Sequence, residues 1–231
     1  MKRKIITTSD GSKTIQIEDW NEQYHSIHGA IQEANHVFIK HGLLFYLQAC
    51  YPETVSGSRP ISILEIGFGT GLNAFLTFLK AEELQESVNY VGVEAYPVKP
   101  EEIQQLNYVE LISEKFKAEF EKMHNISWEE KHNISKAFTL EKQEKFFKDI
   151  IDQDKYDIIY FDAFGARVQP ELWTEDIFAI MYKALKEKGV LVTYSAKGSV
   201  RRAMQAVGFT VERLPGPPGK REMLRARKMR S

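Results

Sequence analysis

The chain has 231 residues, 43% of them hydrophobic, with 31 Lys and Arg against 32 Asp and Glu. This length suits one α/β domain with additions, or two very small domains, and it allows a core that needs no disulfide or metal for stability. The single cysteine, Cys50, excludes a disulfide within the chain. No apolar run reaches the length of a membrane span and no secretory signal opens the sequence, so we expect a cytoplasmic protein without membrane contact.

The first 60 residues are predicted to form an N-terminal extension of hairpin and helix. Apolar residues flank Asp10-Gly11, a strong turn signal, and this pattern predicts a hairpin over 4–17. Apolar residues at helical spacing predict a helix over 29–49. Proline, glycine and serine then predict a loop over 52–60.

The core, residues 61–227, is predicted to begin with a strand, a glycine turn and a helix. Ile61 to Ile66 form the apolar run of a strand buried on both faces, and apolar residues recur at helical spacing from Leu72 to Leu79. Three glycines between them let the backbone lie close to a ligand at the free N–H groups of the helix: Gly67, Gly69 and Gly71.

Two acidic residues accompany this turn. Glu65 stands near the end of the first strand, and Glu94 ends the next apolar run. A carboxylate at a strand end about 20 residues after the glycines is well placed to hold two ribose hydroxyls. The spacing here is G-x-G-x-G, not the G-x-G-x-x-G of dinucleotide-binding proteins. The alternative is a tight strand–helix turn beside an ordinary surface glutamate.

The middle of the core carries weaker signals. Residues 99–121, which contain Pro100 near their start, are rich in Glu, Lys and Gln. This composition predicts one or two surface helices. We expect a short strand at 133–138 and a helix at 141–151.

The last third alternates strands and helices, as in a mostly parallel sheet covered on both faces. The predicted elements are strand 156–161, helix 172–186, strand 189–195, helix 199–207, and strands 209–214 and 222–226. A short turn joins the last two strands, so they should pair antiparallel. Asp162 directly follows a strand and should lie at the edge where open sheets bind ligands; a cap for the next turn is the alternative.

Positive charge is concentrated near the C-terminus. Residues 183–231 contain 13 Lys and Arg but only 3 Asp and Glu, which predicts a phosphate-binding face. Four basic residues are the best candidates for phosphate contacts: Arg201, Arg202, Lys220 and Arg221. The alternatives are structural ion pairs or an ordinary solvated surface with a basic tail.

The glycine turn with its acidic strand residue resembles motif I of the class I S-adenosylmethionine-dependent methyltransferases. The segment from Asp162 to Thr174 is similar to the pattern D-[GA]-F-x(5)-P-[ED]-[ML]-W. That pattern is typical of the methyltransferase domain of the bifunctional tRNA 5-methylaminomethyl-2-thiouridine biosynthesis protein and of its stand-alone relatives. The similarity continues between 189 and 209 and over 218–224, and residues 24–33 resemble the N-terminal signature of the stand-alone branch. In all it runs from about residue 10 to 226.

This resemblance implies one class I methyltransferase domain over 1–231, with a mostly parallel, Rossmann-like sheet and an antiparallel C-terminal strand. It implies methyl transfer from S-adenosylmethionine to the exocyclic amine of 5-aminomethyl-(2-thio)uridine at the wobble position of the tRNA anticodon loop. Fused members also carry a flavin-dependent oxidase domain. We expect no FAD and no metal here, and a separate enzyme that supplies the amine.

The resemblance also implies roles for individual residues. Asp162 is expected to orient the substrate amine as the catalytic group. Phe164 is expected to stack on the uracil ring, with core packing as the alternative. The expected donor-binding residues are Glu65, Gly67, Gly69, Gly71, Glu94 and Tyr24.

Two positions depart from the family pattern. Members usually have Gly-Asp, expected near the adenine, after the strand that precedes the Asp162 strand. Phe138 to Glu141 stand in that region here, with Glu141 as a weak substitute. Ala166 replaces a proline often found four residues after the aspartate, so the loop over the amine can differ in shape.

Three other functions stay open. The chain could be a methyltransferase of this fold for a small-molecule or protein amine, an aminopropyl transferase, or a non-catalytic binding module. The basic segment disfavours a small apolar substrate and an aminopropyl transferase, and the presence of Asp162 and the glycines disfavours the binding module.

Overall fold

The structure is a computed structural model that describes residues 2–49 and 59–229. A small N-terminal sheet contains β1 (Arg3–Thr7), β2 (Lys13–Ile17) and β3 (Glu22–Gln23). The central sheet contains β4 (Ile61–Ile66), β5 (Val88–Glu94), β6 (Lys131–Asn133), β7 (Phe138–Glu144), β8 (Tyr156–Phe161), β9 (Leu185–Thr193), β10 (Thr210–Pro215) and β11 (Glu222–Arg227). Its strand order is β10-β11-β9-β8-β4-β5-β7-β6.

The central sheet is mostly parallel. β4 pairs in parallel with β5 and β8, and β7 and β9 continue the parallel part on either side. β11 is antiparallel to β9 and to β10, and β6 is antiparallel to β7. The predicted sheet with its antiparallel C-terminal strand is therefore confirmed, as is the hairpin of β1 and β2.

Helices cover both faces of the central sheet. They are α1 (Ala30–Ala34), α2 (Phe45–Ala49), α3 (Leu72–Leu84), α4 (Pro100–Ile103), α5 (Tyr108–Ile112), α6 (Lys117–Asn125), α7 (Glu175–Ala184) and α8 (Gly198–Ala206). A π-helix, Asn35–Leu44, joins α1 to α2, so the helix predicted over 29–49 is confirmed. The loop predicted over 52–60 lies almost wholly outside the described residues. Within residues 2–49 and 59–229, no helix is long and apolar enough to cross a bilayer.

Two apolar clusters hold the layers together. One packs the π-helix, α3 and α6 against one face of the sheet, around residues such as Phe38, Phe75 and Phe120. The other packs α7 and α8 against the opposite face, around Phe178 and Met204. Each central strand is consequently buried on both sides.

The prediction for residues 133–151 is wrong. The strand there is Phe138–Glu144, and only a short 3-10 turn, Phe147–Asp149, replaces the expected helix. Lys142 explains the error, because this charged residue occupies an inward position of the strand. Its Nζ donates to the His124 carbonyl over 2.8 Å and lies 5.0 Å from the centre of the Trp128 ring. A buried lysine hides the period-two pattern of a strand.

Other boundaries shift by a few residues. The acidic stretch after Pro100 forms three short helices that end at Asn125, later than expected. The predicted helix 172–186 is a 3-10 turn, Pro170–Trp173, followed by α7, and β9 begins at Leu185 because the chain pairs with β8 before Gly189.

Candidate active site

A cavity of about 850 Å³ lies beyond the carboxyl ends of β4, β5 and β8, covered by the N-terminal extension. Parallel strands bring their ends to one edge of the sheet, so residues distant in sequence meet here. The predicted residues in its wall are Tyr24, Gly67, Gly69, Glu94, Asp162, Phe164 and Lys220.

The glycine turn after β4 forms the floor of this cavity. Gly67 has φ +90°, and a Cβ on it would lie 2.7 Å from the carbonyl oxygen of Asp162. Gly69 has φ +50°, and a Cβ there would lie 3.0 Å from Cδ1 of Tyr24. The surrounding protein therefore leaves no room for a side chain at either position, and the turn consists of backbone alone. Gly71 shapes the turn from behind, because its absent Cβ faces the His124 ring and the residue is not in the cavity wall.

Glu94 is fixed at the end of β5. Its Oε2 accepts the backbone N–H of Gly69 over 3.1 Å, and its Oε1 accepts that of Tyr96 over 3.0 Å. Burial raises the pKa of Glu94, and these two hydrogen bonds oppose the rise. The carboxylate therefore stands beside the glycine floor, where it can accept hydrogen bonds from a ligand.

Glu65 does not reach the cavity, so the direct donor contact predicted for it has no support in this geometry. The residue is 1% exposed, and Tyr90 donates its hydroxyl to Oε2 over 2.9 Å. Asn73 Nδ2 donates to Glu65 Oε1 and to Asp162 Oδ2, each over 2.8 Å. Burial raises the pKa of Glu65 well above its usual range. Asn73, which the sequence analysis missed, is the side chain that stands in the wall instead.

Asp162 lies where β8 ends, with its backbone N–H bonded to the Ile66 carbonyl. Burial and, after it, the nearby charge of Glu33 raise the pKa of Asp162 to about 7. Glu33 itself pairs with Lys220, and its Oε2 accepts the backbone N–H of Ser26 over 2.9 Å. A carboxylate with such a pKa can take up and release a proton near neutral pH.

Aromatic rings line the cavity next to Asp162. The Phe164 ring lies nearly perpendicular to the rings of Tyr24 and Trp20, at centroid distances of 4.9 and 5.7 Å. Trp173 Nε1 donates to the Phe164 carbonyl over 2.7 Å and fixes the loop that carries the ring. Arg167 ties the same loop to the N-terminal extension through Glu22 over 2.8 Å. The extension and the core thus share this wall.

Two aromatic residues that were not predicted also line the cavity. Tyr96 and Phe146, which follow β5 and β7, line the cavity with ring centroids 6.1 Å apart. Glu141, the weak substitute for the missing acid near adenine, lies within β7 and is not in the wall. The correct end of β7, at Glu144, would have pointed to Phe146.

The C-terminal positive charge is partly used within the fold. Lys186 pairs with Asp157, Lys228 with Asp154, and Arg225 with Glu212. Lys220 lies in the cavity wall against Glu33, with Nζ 3.8 Å from the centre of the Tyr194 ring.

The three predicted arginines lie outside the cavity wall. Arg201 and Arg202 belong to α8, which starts shortly after the carboxyl end of β9, and Arg202 and Arg221 are exposed. Within the described chain, no ion pair joins any of these three to an acidic side chain. The described residues also contain no cluster of three or more His, Cys, Asp or Glu suited to a metal ion.

Several named proteins are similar to this chain in sequence. Relatives include the protein named "tRNA 5-methylaminomethyl-2-thiouridine biosynthesis bifunctional protein MnmC" of Burkholderia thailandensis, 28% identical over 95% of this chain and 34% of that protein. The protein of the same name from Campylobacter fetus is 30% identical over 72% of this chain and 28% of that protein. The chain thus spans about a third of the length of these curated relatives.

Solved structures also match the fold of this chain. MNMC2 from Aquifex aeolicus superposes with a TM-score of 0.77 at 26% identity, over 100% of this chain and 71% of that one. Spermidine synthase from Thermotoga maritima has a TM-score of 0.51 at 15% identity, over 97% of this chain and 72% of that one, which shows the fold alone. Residues 101–229, more than half of the chain, match the model of a family described as S-adenosyl-L-methionine-dependent methyltransferase. This chain is therefore a member of the S-adenosyl-L-methionine-dependent methyltransferase family.

Proposed function

We propose that the protein methylates the exocyclic amine of 5-aminomethyl-(2-thio)uridine at the wobble position of tRNA and yields the 5-methylaminomethyl form. The observation that carries this proposal is the position of Asp162, in one cavity wall between the glycine floor and Phe164. The names of the relatives from Burkholderia thailandensis and Campylobacter fetus support the substrate. S-adenosylmethionine supplies the methyl group as an activated sulfonium substituent.

The cavity fits a donor of this kind. The bare backbone at Gly67 and Gly69 leaves room for its amino-acid part, and Glu94 can hold the ribose hydroxyls. Tyr96 and Phe146 offer apolar faces for the adenine ring, and Tyr24 covers Gly69 from the side of the N-terminal extension. Gly71 supports this floor through the shape of the turn, and Glu65 does so through Asn73.

Asp162 is the group that we propose acts on the amine. Its carboxylate can accept a hydrogen bond from the amine N–H and direct the nitrogen lone pair toward the methyl group. Its pKa of about 7 also suits it to accept the proton that the ammonium form must lose. Phe164 lies beside it as a surface on which the uracil ring can stack once the wobble base leaves the anticodon stack.

The tRNA backbone would meet the outer surface near the cavity. Arg201, Arg202 and Arg221 are the proposed phosphate contacts, since the described chain gives them no acidic partner. Lys220 is already paired with Glu33. We further propose that 1–231 acts as one domain without flavin or metal, and that a separate enzyme supplies the amine.

The proposal is tested with labelled S-adenosylmethionine and bulk tRNA from cells that lack the modification. We expect label in tRNA that elutes as 5-methylaminomethyl-(2-thio)uridine after digestion to nucleosides. The Asp162→Asn variant should incorporate far less label, whereas Asp149→Asn, an exposed position, should match the wild type. Label in protein or in small metabolites, with none in tRNA, would overturn the proposal in favour of another amine substrate.

A further inference from the structure

Asn73 has a buried oxygen without a partner. The residue is 2% exposed, and its Oδ1 accepts no hydrogen bond from any described residue. The residue Asn73 nevertheless belongs to the wall of the cavity, together with Gly67, Gly69 and Asp162. A buried carbonyl oxygen that accepts no hydrogen bond costs free energy. In a residue of a cavity wall, such an atom indicates that a bound ligand supplies the missing N–H or O–H group.

The orientation of the Asn73 amide is fixed by its other end. Nδ2 donates to Glu65 Oε1 and Asp162 Oδ2, each over 2.8 Å, which uses both of its hydrogens. A flipped amide would place Oδ1 against two carboxyl groups and lose both bonds. Oδ1 is consequently the acceptor end of the amide, and no described residue donates a hydrogen bond to it.

The acidic groups near Asn73 indicate which kind of hydrogen-bond donor fits. Two carboxyl groups stand in this part of the wall, those of Glu94 and Asp162, and the buried Glu65 lies behind Asn73. Burial raises the pKa of all three carboxyl groups, and a bound cation would be stabilised by favouring their ionised forms. The cationic Lys220 forms an ion pair with Glu33. A positively charged N–H donor gains most in such a place, because a hydrogen bond to a charged group is stronger than a neutral one.

We propose that Asn73 is a donor-binding residue whose Oδ1 accepts a hydrogen bond from the α-ammonium group of S-adenosylmethionine. This inference rests on the donor position given under the proposed function. It gives Asn73 two tasks at once. The amide holds the two carboxyl groups together behind the cavity, and its oxygen fixes the amino-acid end of the donor beside Asp162.

The test compares two ligands on two proteins by titration calorimetry. One ligand is S-adenosylhomocysteine, and the other is its analogue with hydrogen in place of the α-amino group. For Asn73→Ala we expect affinity for S-adenosylhomocysteine to fall about 10- to 100-fold, the range for a hydrogen bond to a charged group. Affinity for the analogue should change less than about 3-fold, since it lacks the hydrogen-bonding partner.

A matched control separates this contact from disturbance of Glu65. Tyr90→Phe removes the other side-chain donor to Glu65 and leaves Oδ1 of Asn73 in place. Both ligands should then lose affinity by the same factor, or by none. An Asn73→Ala protein that loses affinity for both ligands equally would overturn the inference.

A second measurement does not depend on the folding of a variant. In a crystal structure of the wild type with S-adenosylhomocysteine, the α-amino nitrogen should lie about 2.7–3.2 Å from Asn73 Oδ1. An amino group bound elsewhere would overturn the inference and leave the proposed function standing. Wild-type protein that binds neither ligand would instead count against the donor site itself.

Discussion

The carboxylate of Glu94 accepts the backbone N–H of Gly69 over 3.1 Å, and this bond joins the end of β5 to the turn after β4. It places a hydrogen-bond acceptor beside a stretch of backbone that carries no side chain. The glycine turn and the acidic residue therefore act as one unit, and a change in either should alter this side of the cavity.

Gly69→Ala should weaken donor binding. The new Cβ would lie 3.0 Å from the Tyr24 ring at a φ of +50°, which alanine adopts at a cost of about 1 kcal/mol. We expect affinity for S-adenosylhomocysteine in calorimetry to fall about 10-fold or more. Gly165→Ala is the control, because its Cβ would meet only the Tyr194 hydroxyl, at 3.7 Å. Equal affinity in Gly69→Ala and wild type would show that the donor does not lie on this floor.

Asp162 should impose a pH dependence on the methylation rate. Its pKa of about 7 means that the carboxyl is protonated below that pH and cannot accept a proton from the amine. Single-turnover rates with saturating donor should therefore rise as pH increases through 7. Asp162→Asn should lower the rate about 100-fold and remove this inflection, which we would measure from pH 5.5 to 9. An inflection near 7 that persists in the variant would assign it to another group.

The same shift predicts an effect on stability. Asp162 has a pKa of about 7 in the fold against 3.8 as its ordinary value, so the folded state binds the extra proton between these limits. Stability from this group is present below pH 4 and is lost as pH rises through 7. Asp162→Asn avoids that loss and should stabilise the fold by about 1–3 kcal/mol at pH 8, after allowance for water in the cavity.

Thermal unfolding checks this stability effect. The Tm of Asp162→Asn should exceed that of the wild type by roughly 3–10 °C at pH 8 and by much less at pH 5. A Tm difference that does not depend on pH would mean that the carboxyl keeps an ordinary pKa in the fold.

The core fold could be predicted because its strands are continuous apolar runs. Ile61–Ile66 and Tyr156–Phe161 have the observed bounds, since each strand is buried on both faces and bounded by turn residues. β7 could not be predicted from such an apolar run. It carries the buried Lys142, whose surroundings are formed by His124 and Trp128. These two residues lie before the strand in the sequence, so a pattern within the strand does not include them.

The candidate site was only partly predictable for a similar reason. Glycines and strand-end carboxylates have a local signature, so Gly67, Gly69, Glu94 and Asp162 could be found. Asn73 looks like an ordinary residue in the first turn of a helix. Its importance comes from two acidic partners, one on β4 and one just after β8, a relationship that no single stretch of sequence contains.

Arg201 and Arg202 should contribute to tRNA binding through charge. With both changed to alanine, affinity should fall and the plot of log affinity against log salt should lose about 1.5 units of slope. Lys183→Ala with Lys188→Asn is the matched control, because it removes two exposed charges at the opposite end of the sheet. Binding that is unchanged at several salt concentrations would remove the arginines from the interface.

Lys220→Met separates an electrostatic role inside the cavity from a phosphate contact. Lys220 lowers the pKa of Asp162, so its loss should move the inflection of the rate profile to higher pH. The salt dependence of tRNA binding should stay unchanged, because Lys220 is paired with Glu33. Lys197→Met, an exposed position at the start of α8, serves as the control for charge and should leave the inflection in place. A smaller salt slope with an unmoved inflection would instead make Lys220 a phosphate contact, as its place in the basic C-terminal segment predicts.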